Sequence, residues 1–100
     1  MLRKRPPVPE RVVREASGRV LLVIEVADTS LERDRAIKLP RYAALDLREV
    51  WIVDVEGQAV EVYRAPTASG YSDAQRTALD GFVSPAAFPD LRVSVAELLG

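Results

Sequence analysis

Apolar positions in this chain gather in short runs separated by polar or proline-bearing stretches. The densest, Val20-Leu21-Leu22-Val23-Ile24, is followed by Glu25 and Val26. A β-branched run that is apolar on both faces predicts a strand over 20–26, covered on both sides. Alternation places Leu21, Val23 and Glu25 on one face and Leu22, Ile24 and Val26 on the other. The period then lengthens, and a helix is expected over about 30–45. Thr29 with Glu32 three residues on fits a capping box, and Asp28 adds negative charge near the helix start. Leu31, Arg35, Lys38 and Tyr42 fall along one stripe of that helix, with Asp34 one turn before Lys38. Pro40 lacks an N–H, so it should kink the helix or divide it near Leu39.

A second buried strand is expected over 50–55, where Val50-Trp51-Ile52-Val53 is unbroken. Glu56-Gly57 offers a tight turn. A third strand over 59–64 alternates cleanly: Val60 and Val62 point one way, Glu61 and Tyr63 the other, as in a strand nearer a sheet edge. Residues 66–70 read as a loop, 71–79 as a fourth strand with a poor apolar pattern, and Asp80-Gly81 as a turn. Pro85 and Pro89 keep 82–89 irregular, ahead of a short strand over 91–95 and a closing helical turn over 95–99. The helix is long enough to carry the first strand to a parallel neighbour, and the second and third strands should form a hairpin. The order predicts a mixed sheet in an α/β or α+β domain.

One hundred residues allow one domain. Residues 1–17 hold Pro6, Pro7 and Pro9 among Arg3, Lys4, Arg5, Arg11 and Arg14, and read as a basic, proline-rich leader before a core over 18–100. Such a leader is either a solvated tail or an arm that touches phosphates. The net charge of -1 gives no overall pull toward nucleic acid or membrane. No apolar run approaches the roughly 20 residues that span a bilayer, and the N-terminus lacks a signal peptide's apolar segment. The expectation is a soluble cytoplasmic protein with no membrane partner. There is no cysteine and no histidine. Disulfides, thiolate or imidazole metal sites and Ser-His nucleophile pairs are therefore excluded. Chemistry must use carboxylates, hydroxyls, arginine or lysine, and a bound metal should be a hard, oxygen-liganded ion such as Mg²⁺.

Glu25 is the anomaly. An isolated carboxylate in a dry interior costs several kcal/mol and tends to take up a proton. It can be relieved by solvent at the strand end, by a cation, or by a metal ion. Asp28, Asp34 and Lys38 follow within thirteen residues. A parallel strand followed by a helix opens a crevice at the strand's carboxyl end, where ligands commonly bind. Glu25 and Asp28 would stand there, and Lys38 could point back to it. Each residue also has a plain structural account. Asp28 serves as a helix-start residue, Asp34 and Lys38 as a surface i, i+4 pair, Trp51 as core, and Arg33, Arg35 and Arg41 as a solvated helix face.

Taken together, Glu25-Val26, Asp28-Thr29-Ser30, Asp34-Arg35, Lys38, Tyr42, Trp51-Ile52-Val53-Asp54 and Val62-Tyr63-Arg64 make a pattern. Over 18–100 it resembles the Uma family of restriction endonucleases, bacterial members of the PD-(D/E)XK nuclease superfamily. The resemblance implies a restriction-endonuclease-like fold and Mg²⁺-dependent (or Mn²⁺-dependent) hydrolysis of DNA phosphodiester bonds. It implies Glu25 as a metal ligand at the (D/E) position, with Asp28 as a further acid, and Glu25 with Lys38 as the catalytic pair. Two departures stand out. Ala27 occupies the place of the in-strand lysine, leaving Lys38 to supply the charge from the helix. The family's upstream helix and the strand ending in Pro-Asp have no counterpart, so the N-terminal part of the fold and its carboxylate are expected to be missing. A homodimer or an upstream polypeptide would then complete the sheet. The alternative to a nuclease with an incomplete site is a catalytically inactive relative serving as a binding or oligomerisation module.

Overall fold

The computed structural model describes residues 11–100. Nine elements follow in order: β1 (Arg11–Arg14), β2 (Val20–Ala27), α1 (Leu31–Ala44), β3 (Glu49–Asp54), β4 (Ala59–Thr67), β5 (Gly70–Ala78), β6 (Phe82–Val83), β7 (Val93–Ser94) and α2 (Val95–Leu99). The first five strands form one sheet in the order β1-β2-β3-β4-β5, and β6 and β7 pair separately. β2 and β3 are parallel, joined by α1, while the other neighbours are antiparallel. This is the mixed α+β arrangement the pattern implies.

Both faces of the sheet are covered. On the front, α1 packs Leu39 and Ala43 toward Val23, Ala27, Val50 and Ile52, with Leu31 and Tyr42 flanking. On the back, Leu22, Trp51, Val53, Val60 and Val62 pack with Val83, Val95 and Leu99. Two-sided cover explains why β2 and β3 read as apolar runs rather than alternating ones. The buried acids sit among these residues, and among the described residues no buried side-chain N or O lacks a hydrogen-bond partner.

Four local expectations change. Residues 11–14 leave the leader and form β1, paired with β2 from Arg11 opposite Ile24 to Arg14 opposite Val20. Strand pairing uses backbone groups, and 11–14 contains no proline to remove a donor. Residues 1–10 of the expected leader lie outside the described residues, and 15–17 lie in the turn between β1 and β2. The capping box does not form: Ser30 is the N-cap without a side-chain cap bond, and its hydroxyl donates instead to Asp34 Oδ2 at 3.1 Å. Pro40 does not divide α1, which is continuous over fourteen residues. Its missing donor removes one intrahelical bond, while buried Leu39 and Ala43 on either side keep both halves on the core. β4 runs longer than expected, to Thr67, and β5 starts one residue earlier, at Gly70, reducing the 66–70 loop to residues 68–69.

The C-terminal segment is locked to the back face by one carboxylate. Glu49, 1% exposed, accepts from Trp51 Nε1 at 2.8 Å, Arg64 Nε at 2.9 Å and the Ala86 backbone N–H at 2.8 Å. Arg64 also donates to the Ser84 carbonyl at 2.7 Å. Removing this acceptor leaves the Trp51 indole N–H, the Ala86 amide and the Arg64 Nε–H unpaired, with Arg64 keeping its bond to Ser84. Glu49→Ala is therefore expected to lower unfolding stability by about 3 kcal/mol, measured by urea denaturation followed through the single tryptophan. A loss below about 1 kcal/mol would show that other contacts hold this segment.

Candidate active site

The site is built on one transverse row of the sheet. Glu25 of β2 lies opposite Ile52 of β3, Ile52 opposite Glu61 of β4, and Glu61 opposite Arg76 of β5. Directly paired residues point to the same side, here the front, under α1. Helical spacing then decides what meets them. Lys38 and Tyr42 are one turn apart on one face of α1, and both reach Glu25. The Lys38 ammonium donates to Glu25 Oε2 at 2.9 Å, and the Tyr42 hydroxyl donates to Oε1. Glu25 is only 4% exposed. Of the three reliefs open to a carboxylate in an apolar strand, a cation joined by a hydroxyl donor is the one adopted. Lys38 Nζ also stands 3.9 Å from Asp34 Oδ1. Asp34 is itself buried, so this pair belongs to the helix–sheet interface rather than the open surface.

Glu61, the second acid of the row, is as buried as Glu25 and more heavily bonded. Arg35 donates from Nε to Oε1 at 2.8 Å and from Nη2 to Oε2, a bidentate clamp. Arg76 Nη1 donates to Oε2 at 2.8 Å and the Tyr63 hydroxyl to Oε1 at 2.7 Å. Burial opposes ionisation of Glu61, but the hydrogen bonds from Arg35 and Tyr63 and the charge of Arg35 outweigh it, so its carboxyl is held below the ordinary range. Its hydrogen bond raises the Arg35 guanidinium in turn. Burial, then the bond to Glu61, pushes the Tyr63 phenol up to about 12. Arg76 Nη2 continues to Asp54 Oδ2 at 2.8 Å, and Asp54 Oδ1 accepts from the Gly57 N–H at 2.9 Å. That turn needs glycine: a β-carbon at 57 would collide with the Asp54 carboxylate and the Arg76 guanidinium.

Arg35 is thus no solvated helix residue, and no pattern along the chain pointed to Arg76. The alternation of 59–64 placed Glu61 with Tyr63 on one face of a strand nearer a sheet edge, and alternation shows which residues share a face but not what covers that face. The available signal was the stripe Arg35, Lys38 and Tyr42, which matches two acids only once β2 and β4 are known to flank β3.

The structure brings Glu25 and Lys38 together and places Asp28 elsewhere. Asp28 is exposed beyond the end of β2 and lines a cavity of about 700 Å³ with Ser30, Arg33, Asp54, Glu56 and Gly57. Among the described residues, no three acidic side chains gather in a set able to hold a metal ion. Both Glu25 oxygens already accept hydrogen bonds. These residues do not by themselves fit a metal centre. They offer one desolvated carboxylate whose charge and orientation are fixed by an amine and a phenol, with the amine half-exposed toward any incoming anion.

No curated protein matches. The crystal structure of a "putative nuclease belonging to DUF820" from Anabaena variabilis ATCC 29413 superposes with a TM-score of 0.50 and 21% identity, over 89% of this chain and 53% of that one. The likeness shows a shared fold, and this chain spans about half the length of that relative. A family model described as "Putative restriction endonuclease", Uma2, matches residues 2–96. With nearly its whole length matched, the chain belongs to the Uma2 family of restriction-endonuclease type.

Proposed function

We propose that this domain takes part in metal-dependent hydrolysis of DNA phosphodiester bonds, with Glu25 and Lys38 as its reacting pair. The observation that carries the reading is the 2.9 Å contact between the Lys38 ammonium and a carboxylate that is 4% exposed. A buried acid supplies a fixed negative charge for orienting water. The half-exposed ammonium supplies positive charge where a phosphate oxygen gains negative charge. Tyr42 holds the second carboxylate oxygen and keeps the acid aimed. Membership of the family supports a nuclease, and a chain free of cysteine suits a reducing cytoplasm. Mg²⁺, with Mn²⁺ as its substitute, is the expected ion. Substrate phosphates would supply further oxygen ligands, since Mg²⁺ is commonly held by one or two carboxylates plus phosphates.

A second reading rests on a specific observation. Glu25 is fully bonded by Lys38 and Tyr42, and no acidic trio forms among the described residues. An inactive relative that binds DNA or a second copy of itself would show the same features.

Plasmid nicking with Mg²⁺ or Mn²⁺ separates the two. On the nuclease reading, Glu25→Ala and Lys38→Met each lower the rate by about 10²-fold or more. A rate unchanged by Glu25→Ala removes that acid from the mechanism, and a wild type silent with both ions favours the inactive relative.

Metal titration by calorimetry tests the ligand set without a known target sequence. Weak Mn²⁺ binding is expected, lost in Glu25→Gln. Undiminished binding in Glu25→Gln would remove that acid from the ligand set.

A further inference from the structure

The front-face network holds more charge than anchoring a helix requires. An apolar contact of similar size would hold α1 on the sheet at less desolvation cost, since replacing a buried ion pair by packed hydrophobes is often neutral or stabilising. What apolar packing does not fix is the direction of a particular side chain. α1 is tied to the sheet row at two places. Lys38 and Tyr42 hold Glu25 on β2, and Arg35 holds Glu61 on β4. The acids are two strands apart, about 10 Å at ordinary strand spacing, with apolar Ile52 between them. One anchor leaves a helix free to roll or slide, whereas two anchors on different strands set both its rotation and its height.

The Glu61 anchor is itself rigidly held. Four hydrogen bonds from Arg35, Arg76 and Tyr63 satisfy both its oxygens. Arg76 runs on to Asp54, which also receives the Gly57 N–H, so the clamp ties β4 and β5 to the β3–β4 turn. Arg35 and Lys38 are three residues apart, neighbours on the helix surface. Any movement of Arg35 is passed on to Lys38 through one turn of backbone.

We propose that Glu61, clamped between Arg35 and Arg76, is the positioning residue of this site: it sets the orientation of α1 so that the Lys38 amine stays on Glu25. The inference rests on the reading of Glu25 and Lys38 as the reacting pair, but its test does not require cleavage. Lys38 is one of two lysines, the other being Lys4. Acylation of its amine by an N-hydroxysuccinimide ester, read by mass spectrometry at fixed pH with Lys4 as internal reference, reports whether Glu25 still holds it. Glu25→Gln sets the fully released rate. In Glu61→Gln and Arg35→Ala, Lys38 labelling is expected to rise about fivefold, the factor corresponding to one net hydrogen bond. Arg35→Lys keeps the charge but not the bidentate fork, and should give an intermediate rise. Retained fluorescence of the buried Trp51 shows that each variant is folded. If Glu61→Gln unfolds the domain, Arg35→Lys carries the test alone. Folded variants whose Lys38 labels at the wild-type rate would overturn the proposal and leave the clamp as glue between layers. Released Lys38 in a protein that never nicks DNA would uphold the positioning role and count against the nuclease reading instead.

Discussion

The front of this domain depends on keeping a carboxylate ionised inside an apolar sheet. Glu25 sits in a strand whose neighbours are Ile24 and Val26 and whose opposite residue on β3 is Ile52. Without donors its charge would be costly enough to favour protonation or local opening. Lys38 and Tyr42 remove that cost together, and both come from one helical face. The requirement therefore reaches beyond the site. It dictates that the β2–β3 connection be a helix, that the helix lie over the front, and that positions 38 and 42 be one turn apart.

The back face shows the same chemistry put to another use. Glu49 is buried as fully as Trp51, Ile52 and Val53, yet its partners are Trp51, Arg64 and the backbone of Ala86. The effect is to fasten a proline-rich segment that has little regular structure of its own. The front acids differ in their partners. Lys38, Arg35 and Arg76 are each about a third to a half exposed while the acids they hold are nearly fully buried. Arg64 is exposed to a similar degree on Glu49, so exposure does not set the two faces apart; what differs is that Glu49 also takes an indole and a backbone N–H, which tie it to the C-terminal segment.

How much of this was legible in the sequence depends on the kind of pattern involved. β2, β3 and the inward face of β4 announce themselves because cover on both sides selects unbroken β-branched runs. Glu25 stood out against such a run, and Lys38 stood out as a lysine in a chain whose other basic residues are nearly all arginine. β1 was not legible, since an exposed edge strand needs backbone pairing and no hydrophobic period. Arg76 was hidden for a related reason: β5 is mostly exposed, so its residues show no alternation to mark the one that turns inward. Asp28 was paired with Glu25 by sequence proximity. Its place beyond the end of β2, beside the start of α1, shows that three residues of separation carry no such guarantee once the chain leaves the strand.

The two carboxylates of the front row divide the work between them. Glu61 is saturated by four donors and has its carboxyl held below the ordinary range, so it is a fixed charge with no capacity left for a ligand. Glu25 accepts from an ammonium and a phenol rather than from a bidentate guanidinium. Both acids lie on one row under one helix, so the rotation of α1 that seats Arg35 on Glu61 also seats Lys38 and Tyr42 on Glu25. On the function proposed above, that arrangement lets the guanidinium clamp hold the helix while the ammonium meets the phosphate, because a compact, single-point cation exchanges partners more readily than a planar fork.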